Sequence, residues 1–534
     1  MGMSRTTACL ALGSLTFGGL ACSDALAQKT VLAHYLPWYQ SKDYSGFWGG
    51  HWAGFNGEAN PDTLAPDGLP DIWSNYDPLI GLYDSCDPDL LECHLLQMKL
   101  AGIDGVCSLW FGTSGEFDFG LIDAANRALF DACQHFGMEF CVMYEDRTIF
   151  NLIDGGFINP PNDSNISAQF AADFNWAEDN WFGAAHYTQL QGAPLFMNFG
   201  SLTVEQGVAS QTAWNAAFAT LDGAVSFYPL HSLYTLTPGV SDGGFMWVER
   251  SPFDGSPNEA TIRQRLTDRY NTYATNQQLL LGSACPGFDD VYPPGQTFPD
   301  LPYLNGETLR ITLEHALEDG AWPVVQLVTW NDYGEGTMIE PTVQFGYQFL
   351  EIVQQTMAER IGPSFTFTPE DLRLPAQLYA LRKAGSVDPA TLDVISQHLN
   401  NGDVNAARNA LGAIAGEAIT KQPDAMLVEP GGTLSFTAEL AGGTSGATFV
   451  WEKDGVALVE GGRFSGVNSP NLTVSDSRAS DVGSYRLVAN ISGLQVTSDQ
   501  VVGGVRPTSD PNDVNGDGVR DIIDLIDLLQ EVEG

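Results

Sequence analysis

The stretch PVVQLVTWNDYGEGT, residues 323–337, joins an apolar run to a loop that is rich in glycine and acidic residues. The first half is apolar and β-branched without strict alternation, which is typical of a parallel strand buried on both faces. The second half places Asp332 and Glu335 three residues apart, beside glycines that permit an irregular backbone. The stretch therefore predicts a buried strand that ends in a loop carrying two carboxyl groups.

Seven upstream runs have the same apolar character, and each is bounded by Gly, Pro, Asp or Asn. They lie at residues 31–38, 103–111, 139–144, 194–199, 224–230, 244–248 and 278–283. Segments with helical periodicity separate most of them, among them residues 88–101, 121–136, 211–221, 259–274 and 308–317, and residues 345–360 follow the last run. Eight strands that alternate with helices over residues 28–365 predict an α/β fold, a (β/α)8 barrel. The connection from 230 to 244 is too short for a full helix, so a loop is expected there.

Two further segments follow the predicted barrel. Residues 366–419 repeat Ala, Leu and Arg at helical spacing, which predicts a helical spacer packed on the barrel. Residues 420–503 have strand-like alternation, and Trp451 followed by Asp481-Val-Gly-Ser-Tyr485 resembles an immunoglobulin-like β-sandwich with a buried Trp and a tyrosine corner. We expect this module either to space the domains or to bind glycan.

The C-terminal tail, residues 504–534, contains the motif DVNGDGVRDIID at residues 513–524. Oxygen ligands recur there at the spacing of a calcium loop, with a glycine at the sixth position for the sharp turn. The predicted Ca²⁺ ligands are Asp513, Asn515, Asp517, Val519, Asp521 and Asp524. The motif resembles half of a dockerin module, which implies a cell-surface or cohesin-like partner.

The N-terminal sequence indicates where the protein acts, and the net charge indicates which class of substrate it binds. Arg5, the apolar residues 8–22 and Ala25-Leu-Ala27 predict a signal peptide over residues 1–27, so a secreted or cell-surface protein is expected. No other stretch is apolar for the roughly 18 residues that a membrane span needs. The net charge of −43 argues against nucleic acid and acidic glycans as partners, and favours a neutral polysaccharide.

In a (β/α)8 barrel the catalytic groups lie where the strands end. Here the strand ends are rich in aromatic residues and carboxyl groups, which suits sugars, and cleavage of a glycosidic bond needs two carboxyl groups. We predict Asp332 and Glu335 as the catalytic pair, with the pKa of Glu335 raised by burial and with no cofactor for catalysis. The predicted substrate-binding residues are Tyr35, Trp38, Trp110, Tyr144, Glu145, Asn198, Trp247, Glu249, Asp290, Trp330, Asn331 and Tyr333.

The sequence resembles known glycosidases at both ends of the barrel. The segment WNDYGE, residues 330–335, is similar to the signature of glycoside hydrolase family 71, the endo-α-1,3-glucanases. The opening AHYLPWY, residues 33–39, and residues 336–341 look closer to family 99, the endo-α-mannosidases. Both resemblances imply a (β/α)8 barrel and endo-acting cleavage of an α-linked glycan.

The resemblance implies roles for the two acids and leaves the substrate open. Glu335 matches the general acid/base, and Asp332 matches the group that assists at the sugar 2-hydroxyl. The Asp-Tyr-Gly-Glu core favours α-1,3-glucan, and the opening motif favours α-mannan as the alternative. A third hypothesis is a non-catalytic glycan-binding or adhesion protein, against which the presence of both acids argues.

Overall fold

The computed structural model describes residues 29–200, 211–230, 241–274, 279–292, 298–318, 322–440, 447–491 and 494–505. The predicted signal peptide and the predicted calcium loop, with Asp513, Asn515, Asp517, Val519, Asp521 and Asp524, lie outside these residues. Within these ranges, no helix is both long enough and apolar enough to cross a membrane.

The N-terminal region is a closed barrel, for which the described residues supply eight parallel strands. They are β1 (Thr30–Tyr35), β2 (Gly105–Trp110), β3 (Glu139–Glu145), β4 (Ala193–Phe199), β5 (Ser226–Pro229), β6 (Gly243–Phe245), β7 (Leu279–Ala284) and β8 (Val324–Leu327). Neighbouring strands pair in parallel from β1 to β5 and from β6 to β8, and β8 pairs with β1. The predicted (β/α)8 barrel is therefore confirmed.

The ring closes between two short strands, β5 and β6. A parallel bridge joins Leu230 to Phe245. One residue before β6, the Asp242 carboxylate accepts the backbone N–H of Phe227 at 2.9 Å, and its own N–H donates to the Phe227 carbonyl at 2.9 Å. A Cβ at Gly243 would lie 2.4 Å from the ring of Tyr228, so only glycine lets β6 approach this closely.

The helices outside the barrel follow the predicted segments closely. They are Pro88–Ala101, Phe119–Phe136, Arg147–Asp154, Asp163–Ala177, Gln211–Phe218, Glu259–Ala274, Glu307–Glu318 and Gln348–Ile361, with shorter turns at Gly50–Ala53, Glu178–Phe182, Ser251–Phe253 and Leu304–Gly306. Asp87 caps the Pro88–Ala101 helix by accepting the N–H of Asp89, and Pro88 stands at its first position. Between β3 and β4 the structure also has the helices Arg147–Asp154 and Asp163–Ala177, which were not among the predicted helical segments.

The spacer forms helices that pack on the barrel. After short turns at Gly362–Ser364 and Pro369–Arg373 come Leu374–Ala384, Pro389–Asn400 and Val404–Ala418. Arg382 and Lys383 of the first helix form ion pairs with Glu92 and Asp89 of the Pro88–Ala101 helix. These pairs join the spacer to the barrel at the helix that follows β1.

The last module is an immunoglobulin-like sandwich, as predicted. One sheet contains Met426–Val428, Val501–Val505, Gly483–Ile491, Ala447–Lys453, Val456–Ala457 and Leu494–Thr497, the facing sheet contains Leu434–Thr437, Asn471–Val474 and Phe464–Ser465, and Ile419–Lys421 pairs with Glu439–Leu440. Trp451 is fully buried, and the Tyr485 hydroxyl donates to the Asp481 carbonyl at 2.6 Å, which is a tyrosine corner. The buried Ala438 and Leu487 fill the space between the sheets.

Candidate active site

The loop that follows β8 is a braced turn that carries Asp332 and Glu335. Thr329 N–H donates to the Thr337 carbonyl at 2.9 Å, and the hydroxyls of the two threonines lie 2.9 Å apart. The backbone of Trp330 donates to the carbonyl of His34 in β1 at 2.7 Å. These bonds fix both ends of the loop, so the acids between them have a defined position at the carboxyl end of the barrel.

Glycine is required at the end of this turn. Gly336 has a φ of +66°, and a Cβ there would lie 2.7 Å from the Asp289 carbonyl and 2.7 Å from the Tyr303 hydroxyl. The Tyr303 hydroxyl donates to the Gly336 carbonyl at 2.6 Å. The loops after β7 and β8 are therefore in direct contact beside the acid pair.

The two acids share one turn but differ in their proton affinity. Asp332 accepts the backbone N–H of Glu335 at 3.0 Å through Oδ1. Burial raises the pKa of Asp332 to about 6, and backbone hydrogen bonds oppose this rise. Burial, and then the negative charge of Asp332, raise the pKa of Glu335 to about 8. Glu335 therefore holds its proton at neutral pH while Asp332 is ionised.

Tyr292 and Arg250 lie beside Glu335, and neither is among the predicted site residues. The Tyr292 hydroxyl donates to Glu335 Oε1 at 3.3 Å, and the positive charge of Arg250 acts to lower the pKa of Glu335. Arg250 stacks 3.9 Å over the ring of Phe288, and its Nε has no hydrogen-bond partner in the described part of the chain. Arg250 comes directly after the predicted Glu249 in the segment that follows β6. This position near a strand end is the sequence feature that could have identified it as a site residue.

An aromatic wall formed by Phe55, Trp73 and Tyr292 leads away from Glu335. The Trp73 ring lies 6.1 Å from that of Tyr292 and 5.7 Å from that of Phe55, and 58% of Phe55 is exposed. Phe55 and Trp73 belong to the long segment between β1 and its helix, where the sequence shows no regular pattern. The wall offers apolar ring faces next to the acids. The apolar face of a sugar ring can stack on such aromatic faces.

Tyr35 was predicted to bind substrate, but it is fully buried in a polar network beneath the loop. Its hydroxyl shares a hydrogen bond of 2.9 Å with His94 Nδ1, and His94 Nε2 lies 3.0 Å from Glu340. The Tyr83 hydroxyl donates to the other oxygen of Glu340 at 2.8 Å. Tyr35 therefore supports the β8 loop from below, and the substrate-binding prediction for it is wrong.

Asn331, Trp330 and Tyr333 are also fully buried, so their predicted contact with substrate is corrected in the same way. Asn331 accepts the N–H of Leu36 at 2.8 Å and donates to the Leu36 carbonyl at 3.1 Å. The Tyr39 hydroxyl donates to the Asn331 carbonyl at 2.8 Å. Asn331 thus clamps the chain after β1 to the loop after β8, and the two aromatic side chains fill the space below.

Trp110 and Tyr144 lie between the sheet and its helices, so they do not face the acid pair. The Trp110 indole N–H donates to Asp123 at 3.0 Å, and its ring packs on Trp181 at 5.1 Å. The Tyr144 hydroxyl donates to Asp173 at 2.9 Å. Both rings are fully buried against helices that follow β2 and β3, so the prediction that they bind substrate is wrong.

The predicted polar residues mainly hold loops and helices in place. Glu249 is buried and pairs with Arg269 at 2.9 Å. Asp290 accepts the backbone N–H groups of Tyr292 and Phe298, at 3.2 and 2.8 Å. Asp290 therefore orders the loop that carries Tyr292, a supporting role with respect to the acid pair.

Glu145 and Asn198 end β3 and β4 and are buried. Glu145 accepts the backbone N–H of Arg147 at 3.0 Å, and Asn198 donates to the Gly200 carbonyl at 3.1 Å. Burial and the neighbouring Asp146 raise the pKa of Glu145 to about 8. Glu145 is therefore neutral near pH 7, a state in which a carboxyl group can donate a hydrogen bond.

Trp38 and Trp247 keep part of their surface exposed, whereas the other predicted aromatic residues are fully buried. Trp38 stacks on His51 with ring centroids 3.9 Å apart. Trp247 packs on His34 at 4.8 Å and on Phe199 at 4.7 Å. Their predicted role in substrate binding stays a prediction.

Among the described residues, no group of three His, Cys, Asp or Glu side chains is arranged to hold a metal ion.

Comparisons with known proteins find similarity in both regions. A family model described as immunoglobulin I-set domain matches residues 417–502. The solved GH99 endo-α-mannosidase of Bacteroides thetaiotaomicron is 19% identical, with 63% of this chain and 97% of that chain covered and a TM-score of 0.45. A solved glycoside hydrolase-like protein is 15% identical, with 62% and 94% covered and a TM-score of 0.42. The chain is thus similar to these barrel proteins upstream and to I-set domains downstream.

Proposed function

We propose that this protein is an endo-acting glycoside hydrolase that cleaves an α-linked polysaccharide, with Asp332 and Glu335 as its catalytic pair. The observation that carries the proposal is the pair itself. Both carboxyl groups lie on one braced turn at the carboxyl end of the barrel, and their pKa values, about 6 and about 8, differ in the sense that the reaction needs.

The chemistry follows from the two protonation states. At neutral pH Glu335 carries a proton, which it donates to the glycosidic oxygen as the bond to the leaving sugar breaks. Asp332 is ionised and accepts a hydrogen bond from the 2-hydroxyl of the sugar at the cleavage point, the group that the family resemblance assigns to it, and this bond stabilises the positive charge that develops at the anomeric carbon. Water then attacks the anomeric carbon, and Glu335, now ionised, takes the proton from that water.

The aromatic wall supports endo-acting cleavage. Tyr292 contacts Glu335, Trp73 packs on Tyr292, and Phe55 packs on Trp73. Sugar units on one side of the broken bond can therefore stack on rings beyond the cleavage point. Binding energy from several such units favours cleavage within a chain over removal of a terminal sugar.

For the substrate we propose α-1,3-glucan first, because the Asp332-Tyr-Gly-Glu335 core resembles the glucanase signature. The resemblance of residues 33–39 to endo-α-mannosidases favours α-mannan as the second candidate. Tyr35 and Tyr39 of that motif are buried beneath the loop, so they support the loop and do not themselves select the sugar. The similar solved endo-α-mannosidase makes α-mannan the natural second substrate to assay.

The test is product analysis after incubation with α-1,3-glucan and, in parallel, with yeast α-mannan. Wild type should release oligosaccharides from glucan, and Glu335→Gln and Asp332→Asn should each lose roughly 10²- to 10⁴-fold in rate. Glu359→Gln, an exposed acid on the Gln348–Ile361 helix, is the matched control and should retain full activity. Release from mannan alone would transfer the assignment to that substrate, and variants as active as wild type would refute the catalytic pair.

We further propose that the protein is exported and acts outside the cell, on the basis of its N-terminal sequence. The tail is proposed to bind Ca²⁺ through residues 513–524 and to attach the enzyme to a cell-surface or cohesin-like partner. Detection of a mature chain that begins at Gln28 in the culture medium would support export, whereas a full-length chain retained in the cytoplasm would contradict it.

A further inference from the structure

A cleft of about 700 Å³ lies beside the catalytic loop, where the barrel, the spacer and the immunoglobulin-like module meet. Its lining includes Tyr44 and Leu79 of the long segment after β1 and Tyr347 at the start of the Gln348–Ile361 helix. Tyr379 of the spacer and Asn490 of the sandwich also line it. The volume is within the range of about 300–1,000 Å³ that ligand sites usually have.

Both cations of this cleft, Arg373 and Lys383, already form ion pairs, which disfavours an anion as the natural ligand. Arg373 forms an ion pair with Glu351 and lies 4.2 Å over the Tyr347 ring. Lys383 forms ion pairs with Asp87 at 2.5 Å and with Asp89 at 2.8 Å. With both cations engaged, and with a net charge of −43 on the whole chain, the cleft suits a neutral, hydroxyl-rich ligand.

Ring faces are the second chemical feature of the cleft. Tyr44 is 54% exposed although it is an aromatic residue on a packed segment, and Leu79 is 42% exposed. An exposed tyrosine offers a flat apolar face and a hydroxyl that can form a hydrogen bond. A sugar ring presents the complementary surface, with an apolar face and a rim of hydroxyls.

Two residues that line the cleft also contact the loop that follows β8. Tyr83 lines the cleft, and its hydroxyl accepts a hydrogen bond of 3.3 Å from Asn331, the residue before Asp332. The N–H of Leu79 donates to the carbonyl of Pro341 at 2.9 Å, and Pro341 lies in the segment that follows the catalytic loop. Residues that line the cleft are therefore in direct contact with the chain segment that carries Asp332 and Glu335.

We propose that this cleft is a non-catalytic binding site for the neutral polysaccharide that the enzyme cleaves, an inference that rests on the proposed glycosidase function. It holds a segment of the polymer away from the cleavage point and keeps the enzyme on a large or insoluble substrate. The immunoglobulin-like module contributes to this site through Asn490. Short oligosaccharides that reach only the acid pair gain nothing from it.

The experiment measures retention of the full-length protein on α-1,3-glucan and on α-mannan, in the inactive Glu335→Gln background. Tyr44→Ala should weaken retention on the bound glycan roughly five- to tenfold, the range expected for loss of one stacking ring. Ala376→Trp, which fills the cleft from the spacer side, should have the same effect without removing a tyrosine. Phe157→Ala, at a ring that is 52% exposed elsewhere on the barrel, should leave retention unchanged.

A second assay separates this inference from the proposed function. In the active protein, Tyr44→Ala should slow cleavage of polysaccharide but not of a short oligosaccharide. Cleavage by wild type together with unchanged retention in both cleft variants would overturn the binding site alone. No cleavage of either glycan by wild type would instead refute the glycosidase proposal. Equal losses in Tyr44→Ala and Phe157→Ala would also overturn the binding site, since they would show that any exposed ring has the same effect.

Discussion

At the scale of single residues, burial raises the pKa values of both Asp332 and Glu335, and the proximity of Asp332 adds to the rise at Glu335. The negative charge of Asp332 helps to raise the pKa of Glu335, and Arg250 opposes that effect. Glu335 must hold its proton to act as an acid, and Asp332 must have lost its proton to assist. The proposed activity therefore depends on two titrations that run in opposite senses.

The first prediction concerns the pH dependence of the rate. Activity should rise as pH increases through about 6, where Asp332 ionises, and fall as pH increases through about 8, where Glu335 loses its proton. Arg250→Met removes a positive charge that lowers the pKa of Glu335, so the descending limb should move to higher pH. Initial rates between pH 4 and 10 measure both limbs. A descending limb that stays in place in Arg250→Met would contradict the role of Arg250.

The second prediction concerns the aromatic wall. Trp73→Ala removes a ring that contacts Tyr292 and Phe55 but leaves the acid pair intact, so KM for polysaccharide should rise about tenfold. The turnover number should change by less than a factor of about three, because no group that reacts is altered. Steady-state kinetics distinguish the two parameters. A tenfold fall in kcat with an unchanged KM would show instead that Trp73 positions the acids.

At the scale of secondary-structure elements, the active site depends on how the loops after β1, β7 and β8 brace one another. Asn331 binds the backbone of Leu36, and Tyr303 binds the backbone of Gly336. The strands end close together, but these bonds decide where each loop lies. Buried backbone groups need such partners, because an unpaired buried N–H or carbonyl costs roughly 1–3 kcal/mol.

The third prediction tests this bracing. Asn331→Ala leaves the N–H and the carbonyl of Leu36 without their partner, so the free energy of unfolding of the barrel should fall by about 2 kcal/mol. For a barrel of this size the melting midpoint should then fall by roughly 3 °C. Asn401→Ala, at an exposed site in the spacer, is the matched control and should shift the midpoint by less than about 1 °C. A thermal melt followed by circular dichroism makes the comparison, and equal midpoints for both variants would argue against the clamp.

At the scale of the whole molecule, the barrel, spacer and sandwich are joined by contacts between distant parts of the chain. The spacer packs on the barrel through ion pairs of Arg382 and Lys383, and the sandwich reaches the cleft through Asn490. The catalytic loop belongs to the barrel alone. We therefore expect no direct effect of Ca²⁺ at the predicted tail loop on the acid pair.

The fourth prediction concerns calcium at the tail. Calorimetric titration of the metal-free protein should detect a Ca²⁺ site that is lost in Asp517→Asn, because Asp517 supplies one of the predicted oxygen ligands. Chelation of Ca²⁺ should leave the rate of oligosaccharide release unchanged. Loss of cleavage on chelation, restored by Ca²⁺ in wild type and in Asp517→Asn alike, would point to a metal elsewhere in the chain.

Much of the fold follows from the sequence because its signals are local. Apolar runs bounded by turn residues mark the barrel strands, and residues 88–101 and 259–274 have helical periodicity over the full length of the observed helices. Trp451 and Tyr485 mark the sandwich for a similar reason, since each has a fixed place in that fold. The position of Asp332 and Glu335 at a strand end is also local, because they follow an apolar run directly.

Only the tertiary structure decided which side chains surround that pair. Strands of a parallel barrel are apolar toward both the interior and the helices, so the sequence does not show that Trp110 and Tyr144 face the helices. Tyr292 and Trp73 come from segments without periodicity, and they reach the site only because separate loops meet at one face. The sequence by itself therefore determined the barrel, the sandwich and the place of the acid pair. The packing of distant loops determined the wall, the charge of Arg250 beside Glu335, and the buried support beneath them.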